Sequence, residues 1–196
     1  MDSHDKYDPI KAEKKWKDFW EKHKVYAFDI KSKKKIFSID TPPPTISGNI
    51  HMGHAFSYTH TDIIARYKRM RGFNVFYPFG FDNNGLPTER LVEQEKNVRA
   101  SKMPRKEFNK LCLQVSMEYE KKFKKFWGNL GLSVDWNLLY STIEPRIQRL
   151  SQLSFIELYN KGREYRKEAP TIWCPECQTA IAQAELEDKE LSSTFN

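Results

Sequence analysis

His51-Met52-Gly53-His54 sets two imidazoles either side of a glycine, directly after "TPPPTISGNI" and ahead of a helical pattern. Imidazoles at the start of a helix can donate to phosphate oxygens, and the unpaired N–H groups of the first turn add positive potential for an anion. Donors held where charge develops lower a barrier more than mobile ones. Gly53, lacking a β-carbon, would let a ligand approach the backbone closely. The competing structural reading is that His51 and His54 cap the helix or pack while Gly53 eases a turn. The tetrapeptide alone does not overturn it.

Two further groups carry chemistry. Asp82, in "GFDNNG", can pair with a cation at the ligand edge of a sheet, or can form a turn with Asn83, Asn84 and Gly85. Cys174-Pro175-Glu176-Cys177 is a Cys-x-x-Cys knuckle, two of the roughly four ligands a structural zinc takes. A redox pair is the rival reading, but such a pair opens a helix, whereas these residues sit in a strand-and-turn context. With three cysteines in all, no disulfide framework is expected. Cys112 falls beside an apolar helical stripe, which suits a small buried side chain better than a nucleophile.

The elements that must position these groups follow from periodicity. Asp8-Pro9 is an N-cap followed by a proline at the first helical position. Trp16, Phe19, Trp20 and His23 then recur at helical spacing, a pattern expected to make core contacts. "KKIFSID" reads as a strand ended by Pro42-Pro43-Pro44, since proline cannot donate to a sheet ladder. Met52, Phe56, Ile63, Tyr67 and Met70 form a helical stripe stopped at Gly72. "FNVFYPFGFD" reads as a second strand leading into the turn "NNGLPTE". Residues 36–81 are thus a β-loop-α-β unit sized for one crossover in a parallel sheet, where ligands bind beyond the carboxyl ends of the strands. A helix is expected from Pro104 to about Trp127, with Phe108, Leu111, Val115, Tyr119, Phe123 and Phe126 on one side. "GLSVDWNLLYST" reads as a loop with short extended pieces, and a further helix closes at Gly162.

Taken together, "TPPPTISGNIHMGHAF", "GFDNNGLPTE" and "WCPECQTAIAQAELE" resemble the N-terminal part of class I aminoacyl-tRNA synthetases. The likeness is to the valine branch in its archaeal-type form, where His-Met-Gly-His stands for the family's His-Ile-Gly-His. The resemblance implies an α/β fold: the N-terminal half of a Rossmann-like nucleotide-binding domain with helical insertions and a zinc-knuckle strand segment. It divides the chain into a lead-in helix (1–35), the first half of the catalytic domain (36–170), and the knuckle with the start of an editing insertion (171–196). It assigns ATP to His51, Met52, Gly53 and His54, with His51 and His54 catalytic, and the amino acid to Pro42, Pro43, Thr45 and Asp82. It implies valine and tRNA as substrates, magnesium with ATP, and zinc in a longer parent whose second cysteine pair lies beyond residue 196. The family's Lys-Met-Ser-Lys-Ser signature is not present, and "SKMPRK" is a decoy for it. "LSSTFN" looks like a strand entering the editing domain. The expectation is therefore an N-terminal fragment, incomplete by itself. An isoleucine or leucine branch, or a non-catalytic paralogue binding tRNA or protein, are the alternatives.

Bulk properties are compatible. The chain has 196 residues, 39% hydrophobic and 14% aromatic, enough for a packed core. A net charge of +7 would attract nucleic acid or polyphosphate. For the runs Lys31–Lys35 and Glu120–Lys125 taken alone, a solvated face is the simpler reading. No apolar run reaches membrane-span length and "MDSHDKYDP" has no signal-peptide core, so a cytoplasmic protein of open oligomeric state is expected.

Overall fold

The structure, a computed structural model, describes residues 7–183 together with Leu186 and Glu190. The "LSSTFN" segment lies outside the described residues. The chain divides into two compact units, Met1–Ser151 and Gln152–Asn196.

The first unit opens with α1 (Pro9–Lys22), capped by Asp8, whose carboxylate accepts from Lys11 N at 3.2 Å. After β1 (Ile36–Ser38) come the proline loop, α2 (Met52–Met70) and β2 (Asn74–Phe76), and β1 pairs with β2 in parallel. The expected β-loop-α-β unit is present. Its second strand, however, is two strands: β2 ends before Tyr77-Pro78, and β3 (Phe79–Phe81) begins after it. Pro78 has no N–H to continue the ladder. The chain thereby changes partner, and β3 pairs in parallel with β4 (Leu139–Ser141).

Between them lie α3 (Leu86–Lys96) and α4 (Arg105–Leu130). The third helix was not expected from "NNGLPTE", which by local composition is a turn. Pro87 sits in its first turn, where a missing N–H costs nothing, and Thr88, Leu91 and Val92 are buried on one side. The fourth helix runs three residues past Trp127 to a left-handed cap at Gly131, φ 77°. Its stripe is as expected at Phe108, Val115, Tyr119 and Phe123, but at the end Trp127 is buried and Phe126 is not. Cys112 is half-buried against the core, its thiol pushed up by burial and by Glu89 and Glu93, which suits a packing role.

The core is aromatic at its centre. Phe79 makes edge contacts with Tyr58, Trp127, Trp136 and Phe81, at centroid distances of 5.5, 6.0, 5.6 and 5.7 Å. Two apolar stripes lie elsewhere. On α2 the buried face is Tyr58, Asp62 and Ala65, while Met52, Phe56, Ile63, Tyr67 and Met70 are exposed. On α1 no residue is buried: Trp16 and Phe19 stay about half exposed and pack edge-on to each other, against the expectation of core contacts. Trp20 is the one that turns in, meeting Tyr26 at 5.5 Å and the Arg66 guanidinium at 5.1 Å.

Behind α2 a polar clamp replaces apolar packing. One carboxylate oxygen of buried Asp62 accepts from Ser133 N (2.7 Å) and Ser133 Oγ (2.5 Å), the other from Arg66 Nε (2.7 Å). Arg66 reaches on to the Gly131 carbonyl, and Arg69 to Ser133 Oγ at 2.7 Å. The helix is thus bolted to the turn that follows α4.

The helix α5 (Pro145–Asn160) includes the division at Ser151, and the turn after it carries Gly162, φ 67°. The second unit contains a small antiparallel hairpin, β5 (Trp173–Cys174) with β6 (Thr179–Ala180). No helix among the described residues is long and apolar enough to cross a membrane.

Candidate active site

The proline loop and the start of α2 form the two walls of one cleft of about 540 Å³. Pro42, Pro43 and Thr45 line one wall, and His51, Gly53 and His54 the other. Met52 occupies the first helical position but its side chain, 80% exposed, is turned away from the cleft.

The two histidines cap the helix reciprocally. His51 Nδ1 accepts from Gly53 N at 3.1 Å, and His54 Nδ1 accepts from His51 N at 3.4 Å. Capping uses only Nδ1. An accepting Nδ1 puts the proton of a neutral imidazole on Nε2, which leaves that N–H free to donate outward. The helix cap therefore occupies one nitrogen of each ring and leaves the other to donate. The rings stand 4.0 Å apart, and burial together with the neighbouring His51 pulls the His54 pKa below its ordinary 6.5.

Gly53 has a more local reason than ligand approach. A β-carbon there would sit 3.0 Å from Cε1 and Nδ1 of the His51 ring, so the glycine makes the room in which that ring caps.

Asp82 is next to the cleft rather than in its lining. It pairs with Thr45 in an isolated parallel bridge, with Asp82 N donating to Pro44 O (2.9 Å) and Ile46 N to Asp82 O (2.8 Å). Its Oδ1 accepts from Asn84 N (3.1 Å) and Thr142 Oγ1 (3.2 Å), and the first of these is the turn contact that stood as the alternative to the ligand role the resemblance implies. The loop and the end of β3 are thereby in fixed register, which places Thr45 and Asp82 side by side.

Motif and local composition leave several residues of the cleft unmarked. Tyr58 Oη donates to the Pro42 carbonyl at 2.5 Å, and Thr41, Ser57 and Thr61 also line the cleft. Tyr58 stands four residues after His54 and seven after His51, so helical spacing already put it on their face. Burial and nearby Tyr140 push its pKa up to about 12, which keeps the hydroxyl a donor. Tyr140 lies flat over Gly80, where any β-carbon would fall 2.3 Å from its ring. Beneath Asp82, buried Asn83 donates to Glu120 and to Ser141 Oγ (2.8 Å).

Cys174 and Cys177 stand in the hairpin and not at a helix N-terminus, which disfavours the redox reading. Cys177 N donates to Cys174 Sγ at 3.4 Å, and this bond is the leading cause that lowers the Cys174 pKa. Among the described residues no group of three His, Cys, Asp or Glu side chains converges on a metal position.

The family model described as tRNA synthetases class I (I, L, M and V) matches residues 15–194. The chain is similar to valine-tRNA ligases of Haloarcula marismortui (50% identical over 190 residues), Rickettsia felis (49% over 191) and Ehrlichia canis (54% over 191). Each alignment covers 97% of the chain but only 21%, 22% and 24% of the relative. The chain thus spans about a fifth to a quarter of the length of these relatives. Among solved structures it is similar to the agnB2 LeuRS of Agrobacterium radiobacter K84, crystallised as a ternary complex with tRNA and LeuAMS. That match has a TM-score of 0.75 at 27% identity, and it covers 92% of the chain and 21% of the LeuRS chain. With a cleft between a proline loop and a histidine-capped helix, and a family model spanning nearly its whole length, the chain belongs to the class I tRNA synthetases of the isoleucine, leucine, methionine and valine group.

Proposed function

We propose that this chain carries the first half of the ATP and valine site of a valine-tRNA ligase. The observation that carries the reading is the reciprocal histidine cap, which spends Nδ1 of both rings on the helix and leaves both Nε2 atoms at one cleft. His51 and His54 donate from Nε2 to ATP phosphate oxygens, and Met52 and Gly53 present backbone at the positive end of α2. Pro42, Pro43 and Thr45 wall the amino-acid side, where rigid prolines suit a small branched side chain. Asp82, with Oδ1 engaged in its turn, offers Oδ2 to the substrate ammonium.

The first step is adenylation. A valine carboxylate oxygen attacks the α-phosphorus, the bond from that phosphorus to its bridging oxygen breaks, and pyrophosphate departs with the electron pair. Fixed Nε2 donors stabilise the charge gathering on the phosphate oxygens. The second step moves the valyl group to a ribose hydroxyl of tRNA, releasing AMP. An apolar pocket rejects an isostere that merely adds a hydroxyl, as threonine does to valine, only about a hundredfold, so faithful charging calls for a separate editing site. Magnesium bound to the ATP phosphates would offset part of their negative charge. Cys174 and Cys177 would supply two of the roughly four ligands that a structural zinc takes.

ATP-pyrophosphate exchange with valine, isoleucine, leucine and threonine in parallel tests the reading, on this chain and on a protein of the relatives' full length. Valine-dependent exchange in the longer protein, lost in H51A and H54A, is the expected result. Exchange favouring isoleucine or leucine overturns the branch, and exchange untouched by H54A overturns the phosphate role.

A further inference from the structure

We propose that a second cavity, between α1 and α4, is an anion site that takes a nucleoside phosphate, free or as one nucleotide of an RNA strand. Its volume is about 590 Å³, and it shares no lining residue with the cleft at His51. Small-molecule sites run from about 300 to 1,000 Å³. The proposal does not rest on the valine reading.

Five ammonium groups surround it. Lys121, Lys124 and Lys125 come from α4 at helical i, i+3 and i+4 spacing, which puts them on one face. Lys17 on α1 and Lys24 in the turn after it stand opposite. Gly128, one turn beyond Lys124, lies 3.6 Å from the end of Lys17 as measured from a β-carbon position. The end of that lysine thus rests against α4 at ordinary contact distance. None of the five is ion-paired among the described residues. The run Glu120–Lys125 is thus not simply a solvated face.

Two acids share the lining. Asp135 is already hydrogen-bonded: its Oδ2 accepts from Phe28 N at 2.8 Å, and its Oδ1 from Asn137 N and Nδ2, both at 3.0 Å. Those donors are neutral and leave its charge in place, so Asp135 and Glu21 together stand against five lysines, and positive charge still predominates. Gathered like charges raise the local potential, and an anion with two or more negative oxygens relieves their repulsion.

Beneath the lysines the lining is apolar and aromatic: Trp20, Tyr26, Leu132, Val134 and Trp136. A bare inorganic anion gains nothing from such a surface. A nucleobase does, because its face stacks on aromatic rings whatever the base. Lys124 now lies over Trp136, its nitrogen 5.6 Å from the ring centroid. A base taking that place would release the ammonium toward the phosphate. The cavity is concave and of nucleotide size, which favours this ligand over a flat acidic protein surface or a membrane.

The test is photolabelling of the whole chain, mapped by mass spectrometry, with 8-azido-AMP in one arm and a 5′-phosphorylated, 4-thiouridine-containing RNA oligonucleotide in the other. Wild type is compared with the double variant K124E/K125E, both sites being exposed, and with H51A; circular dichroism checks that each folds. The proposal expects label on peptides carrying Trp20–Tyr26 or Trp136. That label should drop at least tenfold in K124E/K125E, fall steeply with salt, and be unchanged in H51A. Label with 8-azido-AMP alone identifies a free nucleotide as the source, and preferential label with the oligonucleotide identifies RNA. Label confined to peptides around Thr41–Thr61, label equal in K124E/K125E, or no label in either arm would overturn it. The first of these leaves the active-site reading standing, so the two fail separately.

Discussion

The phenolic oxygen of Tyr58 lies 2.5 Å from the carbonyl oxygen of Pro42, so the helix that carries both histidines is tied directly to the proline loop facing them. The tie makes the two walls of the cleft one unit. Tyr58 itself is packed between Phe79 and Trp127, so the loop is referred through one hydroxyl to the centre of the core.

Tyr58→Phe keeps the ring and removes only that bond. A hydrogen bond of this kind contributes about 1 kcal/mol net, so the KM for valine should rise roughly three- to tenfold with a smaller change in kcat. Exchange kinetics in the full-length protein measure the split. Equal falls in kcat and kcat/KM would place Tyr58 in the chemistry instead.

Gly53→Ala puts a methyl 3.0 Å from the His51 ring. The ring must give by a few tenths of an ångström, which lengthens and weakens its bond from Gly53 N. Loss of an N-cap costs about 1 kcal/mol of stability. The larger effect should be on adenylation, because Nε2 of His51 shifts with the ring. Urea unfolding and pyrophosphate exchange read the two consequences separately.

His54 titrates below the ordinary histidine value of 6.5 because burial and the adjacent His51 disfavour its cation. The unfolded chain therefore takes up this proton first as pH falls. The stabilising contribution of neutral His54 is present above 6.5 and is lost as pH drops through and below it. Comparing urea midpoints at about pH 7.5 and about pH 5.5, wild type should lose more stability than His54→Asn, which cannot titrate. Equal losses would mean that the lowered pKa has no hold on folding.

Asp62 anchors α2 from behind, and its removal leaves Arg66 half-buried with no carboxylate. Breaking such a pair costs about 3 kcal/mol, and Asp62→Ala should lower the midpoint of unfolding accordingly. Asp62→Asn, which can still accept from Ser133, should lose less. Denaturant titration distinguishes them.

Zinc should bind this chain well below one equivalent, because two cysteines in a hairpin are all that the described residues bring together. Elemental analysis after dialysis against a chelator measures it. One tightly held zinc per chain would mean that ligands outside the described residues complete the site.

What the sequence by itself determined is everything carried by short-range spacing and by motif. The cap at Asp8, the β-loop-α-β unit, the core face of α4 as far as Phe123, and the proximity of His51, Gly53 and His54 all depend on residues within a few turns of one another. The family was legible for the same reason, since its signatures are contiguous words. Tertiary structure decided what depends on partners far along the chain. Pro78 splits a strand whose halves pair with residues on opposite sides, β1 from before and β4 from some sixty residues after. The apolar stripe of α2 faces outward because Asp62, a polar residue on the other face, finds Ser133 and Arg66 to satisfy it, which periodicity cannot foresee. Thr45 and Asp82 become neighbours only through a bridge between a loop and a strand end. The five lysines at the second cavity meet only when α1 is laid against α4. A hydrophobic pattern says which faces can be buried, and only the packed chain says against what.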